Sequence, residues 1–177
     1  METRVQEIAA RGNKGIKIGI IPGHFATNHS HVNYYVDMTS IKSHHLMAKL
    51  AAAELASAYA TTTPIDTIIC LEGTEMVGAF LADQLAQTGN RGLNTGTDIC
   101  VIAPELNANN QMIFRDNTQK MIWGKRILLL ISSASTGKTI SRSIECLQYY
   151  SGQLVGIASI FSAIREAGGL PVNAIFT

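Results

Sequence analysis

The run Arg126 to Thr139, RILLLISSASTGKT, passes from five consecutive apolar residues into a small, hydroxyl-rich turn containing Gly137, and then into a helix expected to begin near Ile140. A strand that is apolar on both faces must be covered on both, which points to an internal strand of an α/β sheet. The turn has the chemistry of an anion cradle. Ser135, Thr136 and Thr139 offer hydroxyls, and Gly137 lets the backbone curl so that successive N–H groups and the positive end of the next helix converge. The plainer alternative is a turn that only joins strand to helix with good capping residues.

The rest of the chain fits the same architecture. Lys17–Pro22, Thr67–Leu71, Asp98–Ala103, Arg126–Ile131 and Leu154–Phe161 read as strands, and Ile41–Tyr59, Glu75–Gln87 and Ile140–Tyr150 as the helices between them. Met1–Arg11 reads as a short amphipathic helix ended by Gly12 and Gly15, and 88–97 and 104–110 read as polar loops. This is an alternating α/β pattern with a mostly parallel sheet, in one domain over residues 1–177. With 46% hydrophobic residues, 15% charged and a net charge of +1, the chain has core-forming material and no basic face, so nucleic acid is not an expected partner. No apolar run approaches the ~18 residues of a membrane span and no leading signal segment is evident, so no membrane association and a cytoplasmic location are expected. Cys70, Cys100 and Cys146 are odd in number and widely spaced, as small buried thiols are rather than a disulfide or metal framework.

Ligands of open parallel sheets bind beyond the carboxyl ends of the strands. Three loops occupy such positions: Glu72–Gly78, the segment after Ala103, and Ser132–Thr139. The last ends as a P-loop does, in Gly137, Lys138 and Thr139, but Ser132 stands where the first glycine belongs, and little chain follows for the remainder of a P-loop nucleoside triphosphatase, so this match is disfavoured.

A second pattern covers more of the chain. ILLLISSASTGKT resembles the signature of type I phosphoribosyltransferases: four apolar residues, two acids, two apolar or small residues, then TTGxT. GHFATNHSHVNYYVDM resembles the FxLxSGxxSxYYxD segment of the orotate phosphoribosyltransferase branch, and GIASIFSAIREAGGL its strand and DRxEG turn, in the same order. The resemblance implies a Rossmann-like, mostly parallel twisted sheet flanked by helices, with a small N-terminal hood element. It implies transfer of a phosphoribosyl group from phosphoribosyl diphosphate (PRPP) to a pyrimidine-like base, with Mg²⁺ if the protein is catalytic, and a homodimer. It would place Ser135, Thr136, Gly137, Lys138 and Thr139 at the 5-phosphate, Ile131 and Ser132 at the ribose and metal, Gly73 and Thr74 in the diphosphate loop, and Arg165 against a carboxylate on the base.

The departures from that family fall on charged positions. Ile131 and Ser132 replace the acid pair, Asn28 stands at a lysine position, and Val77 stands at a basic position of the diphosphate loop. The catalytic-loop segment, PELNANNQMIFRDN, offers Arg115 alone. Losing several such contacts removes much transition-state stabilisation. The alternative on the same fold is therefore a non-catalytic protein that binds a nucleoside monophosphate or sugar phosphate. His24, His29 and His31 share one segment without the spacing of a zinc site, and His29 or His31 reads as a neutral polar contact in a loop over the ligand or a partner subunit. Tyr34 and Tyr35 read as core or interface aromatics, and Trp123 as packing. Glu72 and Glu75 read as acids favoured by a helix N-terminus rather than as replacements for the missing acid pair.

Overall fold

A computed structural model describes residues 5–26, 31–87 and 92–177. The chain opens with a three-stranded antiparallel hood: β1 (Gln6–Ala9), β2 (Lys17–Ala26) and β3 (His31–Asp37), with β2 in the centre. Two expectations change here. The segment expected as an N-terminal helix contributes β1, whose Gln6 pairs with Ile20 and whose Ala9 pairs with Lys17. The strand expected from Lys17 belongs to the hood and not to the parallel sheet. Cross-strand pairing of the segment with β2 overrides its weak helical period. The β2–β3 register shifts between Pro22 and Phe25, where a proline and a glycine interrupt the ladder.

Asp37 then turns the chain into α1 (Thr39–Ser43). Its Oδ1 accepts from the Thr39 N–H at 3.0 Å and the Thr39 hydroxyl at 2.6 Å. These bonds, the hydroxyl's first, hold the Asp37 carboxyl below the usual carboxylate range, and the charge of Lys42 adds to them. The long helix expected over Ile41–Tyr59 is broken at His44, so α2 (His45–Ala56) starts anew.

The main sheet follows: β4 (Thr67–Cys70), α3 (Glu75–Ala86), β5 (Cys100–Ile102), a hairpin of β6 (Glu105–Leu106) and β7 (Met112–Ile113), the single turn α4 (Asp116–Gln119), β8 (Arg126–Ala134), α5 (Lys138–Tyr149), β9 (Gln153–Ser162), β10 (Glu166–Ala167) and β11 (Leu170–Phe176). Its order is β10-β11-β9-β8-β4-β5, parallel throughout except for the β10–β11 pair. β11 was not expected, because Pro171 lies within an otherwise strand-like run.

β8 is the spine. Ile127, Leu128, Leu129, Leu130 and Ile131 have no exposed surface. The alternation of side chains along the strand divides them. Leu128 and Leu130 join Ile41, Ala48, Ala51, Val77 and Leu81 under α1, α2 and α3. Ile127, Leu129 and Ile131 join Ile140 and Leu147 of α5, together with Phe114 and Ile122. Each side chain buried in this way contributes roughly 1.5–3 kcal/mol of hydrophobic stabilisation. At the other end of the sheet's edges, Arg126 forms a fork on Asp66, Nε to Oδ2 and a terminal nitrogen to Oδ1, both at 2.9 Å, which fixes the entry of β8 beside that of β4. Among the described residues, no helix is long and apolar enough to cross a membrane.

Trp123 is not packed: it is 72% exposed, because Ile122 beside it fills the core position of that turn. None of the three cysteines is paired; Cys70 is buried, and burial pushes its thiol up to about 12.

Candidate functional site

The carboxyl ends of β4 and β8, the first turn of α5, the hood strand β3 and the β6–β7 hairpin enclose an open cleft of about 630 Å³. The whole Ser135–Thr139 loop lines it. Gly137 is the residue before α5 and has φ of 78°, a left-handed conformation that lets the loop reverse directly into the helix. The Ser141 N–H bonds to the Gly137 carbonyl at 2.9 Å, so the helix is formed from its first turn and turns its positive end toward the loop, where the Lys138 N–H meets the Thr136 hydroxyl oxygen at 3.5 Å. Ser135 and Thr136 are exposed. Lys138 and Arg142, one turn apart on α5, bring two cations to the same cleft.

At the opposite side of the cleft the two positions expected at the ribose diverge. Ile131 packs wholly into the core with its side chain toward α5. Ser132 lies on the other face of the strand and donates its hydroxyl to Glu72 Oε2, which also accepts the Ser133 N–H at 3.3 Å. Glu72 is therefore not simply a solvated acid before a helix. Its φ is 59° and that of Gly73 is 77°, two successive left-handed residues that carry the turn after β4 back over β8. The ammonium of Lys42, reaching from α1, donates to the Glu72 carbonyl at 3.1 Å and also lines the cleft.

The remaining expected residues are scattered. Thr74 is buried and its hydroxyl donates to the Leu71 carbonyl at 2.8 Å, a structural bond within the turn; neither it nor Gly73 lines the cleft. Val77 has no exposed surface and belongs to the core, so a basic residue could not reach the cleft from there. Arg115 forms an exposed fork on Glu105, both bonds at 3.0 Å, and is turned to the hairpin rather than the cleft. Arg165 is exposed in the turn after β9, two residues beyond Ala163, which does line the cleft. His31 is the first residue of β3, not part of a loop, and stacks on His24 with ring centroids 5.3 Å apart. Asn28 and His29 lie outside the described residues. Tyr34 and Tyr35, expected in a core or an interface, are 48% and 51% exposed and line the cleft from the hood.

Sequence reasoning thus missed Lys42 and Arg142 as cleft cations, and set Glu72 aside. No local signal marks Lys42, which is one of two lysines in the helical stretch Ile41–Tyr59. Glu72 does carry one, a charged residue directly before a glycine at the end of a buried strand.

No protein-family model matches the chain, and no curated protein matches it. Solved structures do. Adenine phosphoribosyltransferase from Rhodothermus marinus is similar over 99% of this chain and 94% of its own, at 15% identity and a TM-score of 0.60. Orotate phosphoribosyltransferase from Mycobacterium tuberculosis, solved in complex with PRPP, is similar over 80% of each chain, at 19% identity and a TM-score of 0.54. UMP synthase from Leishmania donovani is matched over 89% of this chain at 17% identity and a TM-score of 0.61, and the present chain spans 33% of its length. The fold is that of the type I phosphoribosyltransferases, as the sequence resemblance implied.

Proposed function

We propose that this protein binds a 5-phosphoribosyl ligand in the cleft beyond β8 and transfers the phosphoribosyl group from PRPP to a base. The observation that carries the reading is the Ser135–Thr139 cradle at the positive end of α5, which opens on a cleft that also holds Lys42, Lys138 and Arg142. Three cations reduce the shortage of charge that the sequence alone implied for a diphosphate. In the reaction, the bond between the anomeric carbon and the diphosphate oxygen breaks, the diphosphate leaves with the electron pair, and a base nitrogen forms the new bond to that carbon. The loop's hydroxyls and N–H groups would hold the 5-phosphate, and the lysines would meet the developing negative charge on the leaving group. A pyrimidine-like base and a homodimer belong to the proposal through the resemblance, Arg165 being the expected contact for a carboxylate on the base.

Mg²⁺ would neutralise part of the diphosphate charge. Among the described residues no cluster of three or more His, Cys, Asp or Glu is placed to hold a metal alone. Glu72 fits the usual manner of Mg²⁺ binding, in which one or two carboxylates act together with substrate phosphates.

A second reading is binding of a nucleoside monophosphate without turnover. It is favoured by the core position of Ile131 and by the Arg115–Glu105 pair, which together leave the acid pair and the basic catalytic loop without equivalents in their expected places. Calorimetric titration with PRPP and with a nucleoside monophosphate, each with and without Mg²⁺, together with an assay for diphosphate release over a panel of bases, separates the two. Base-dependent release of diphosphate is the expected result. Metal-independent binding of the monophosphate with no release would sink the transfer reaction and leave the second reading standing.

A further inference from the structure

The carboxylate of Glu72 has an unusual set of supports. Its backbone is left-handed, a conformation that is costly for a side-chain-bearing residue, and the structure keeps it there with three bonds from distant parts of the chain. The Lys42 ammonium holds its carbonyl, and the Ser132 hydroxyl and the Ser133 N–H hold its carboxylate. Both of the latter bonds fall on Oε2, and among the described residues Oε1 takes none. The residue lines the cleft, and the strand end on which it is docked runs within three residues into the phosphate cradle: Ser132 and Ser133 are followed by Ala134 and then by Ser135.

We infer that Glu72 is the group that recognises the ribose. With the phosphate in the Ser135–Thr139 loop, which is where the reading above places it, the sugar extends back along the end of β8 toward Ser132, and the open Oε1 accepts hydrogen bonds from the 2- and 3-hydroxyls. A carboxylate accepts from vicinal hydroxyls at two oxygens or in a shared arrangement at one, and its charge makes such bonds about twice as strong as neutral ones. The strand supplies no acid of its own, since Ile131 faces the core and Ser132 is a hydroxyl. The turn after β4 supplies one instead, and Ser132 becomes its mount. The ligand class is a ribose 5-phosphate with its hydroxyls free, in preference to the deoxy sugar. Lys42 is then a positioning residue in addition to a cation of the cleft.

The test needs no knowledge of the base. Ribose 5-phosphate, 2-deoxyribose 5-phosphate and inorganic phosphate are titrated calorimetrically into the wild type, Glu72→Ala, Glu72→Gln and Ser132→Ala, with thermal unfolding used to confirm that each variant is folded. The wild type is expected to prefer the ribose compound over the deoxy compound by roughly tenfold. Glu72→Ala should abolish that preference while its affinity for inorganic phosphate stays within about twofold of wild type, with Glu72→Gln between the two. Ser132→Ala, which releases the carboxylate without removing it, should reduce the preference by part. A preference that survives in Glu72→Ala, or a wild type that binds both sugars equally, overturns the role of Glu72 and leaves the phosphate site intact. If none of the three compounds binds the folded wild type, the phosphate site itself is overturned, and the role of Glu72 with it.

Discussion

The two ends of the cleft are built in opposite ways. The end proposed to take the phosphate is five consecutive residues, Ser135–Thr139, shaped by one left-handed glycine and one helix start. The end proposed to take the ribose joins Ser132 to a glutamate 60 residues earlier, with a lysine a further 30 residues back holding that glutamate's carbonyl. A site made from contiguous residues depends on local conformation and tolerates changes elsewhere in the chain. A site made across two strands depends on the register of the sheet and can exchange the strand that supplies a charge while keeping the charge in place. The contrast explains how a chain without acids at Ile131 and Ser132 still places a carboxylate beside them.

The largest effect is expected at the local end. Thr136→Val combined with Gly137→Ala removes a hydroxyl and forces a β-carbon into a left-handed residue, about 3.2 Å from Ile164 Cδ1. Binding of every phosphate ligand is expected to fall roughly 100-fold, since several charge-assisted bonds are lost together. Unchanged affinity for inorganic phosphate in this variant would mean that the loop is only a connection.

A smaller, selective effect is expected at the distributed end. Lys42→Met keeps the aliphatic stem and removes the ammonium that holds the Glu72 carbonyl. PRPP is expected to lose about tenfold in affinity and inorganic phosphate little, because the phosphate loop shares no bond with Lys42. Equal losses for both ligands would show that α1 supports the whole cleft, and the division into two ends would fail.

The same contrast accounts for what could be read in the sequence. β4, α3, β8, α5 and β9 were legible because their apolar runs and helical spacing are local signals that survive burial, and the turn from β8 into α5 was legible with them. The hood was not. Val5 and Ile8 of the N-terminal segment remain half-exposed, so no buried face marks β1 as a strand, and only its pairing with β2 decides the matter. β11 was hidden by Pro171, and the β6–β7 hairpin by strands of two residues each. At the site, Glu72 was visible as a residue but not as a contact, because nothing in the sequence near residue 72 specifies that β4 pairs with β8 in the register that sets Cys70 opposite Leu130. Trp123 shows the reverse error: a large aromatic beside a strand invites a core assignment, but Ile122 takes the place.

The smallest effect tests whether the register that makes the distributed end is held from the far side of the sheet. Asp66 accepts the Arg126 backbone N–H at 2.8 Å and the guanidinium fork, joining the first residue of β8 to the start of β4. The Arg126 hydrogen bonds hold the Asp66 carboxyl at about 2, against an ordinary 3.8, despite the opposing effect of partial burial. Because the folded value is the lower one, the unfolded chain binds more protons between these limits. The pair's contribution is complete above about pH 4 and is lost as the pH falls through about 2. Asp66→Asn removes that dependence. Its melting temperature is expected to lie about 3 °C below wild type at pH 6, with the gap closing toward pH 2, as followed by circular dichroism. Affinity for inorganic phosphate should be unchanged, since the loop is local and lies at the other end of β8. The preference for ribose over deoxyribose 5-phosphate is the informative quantity. If it falls in Asp66→Asn at neutral pH, the base of the strand pair sets the alignment of Glu72 with Ser132. If it does not, the bonds of Lys42 and Ser132 at the cleft are sufficient to hold the carboxylate where it is.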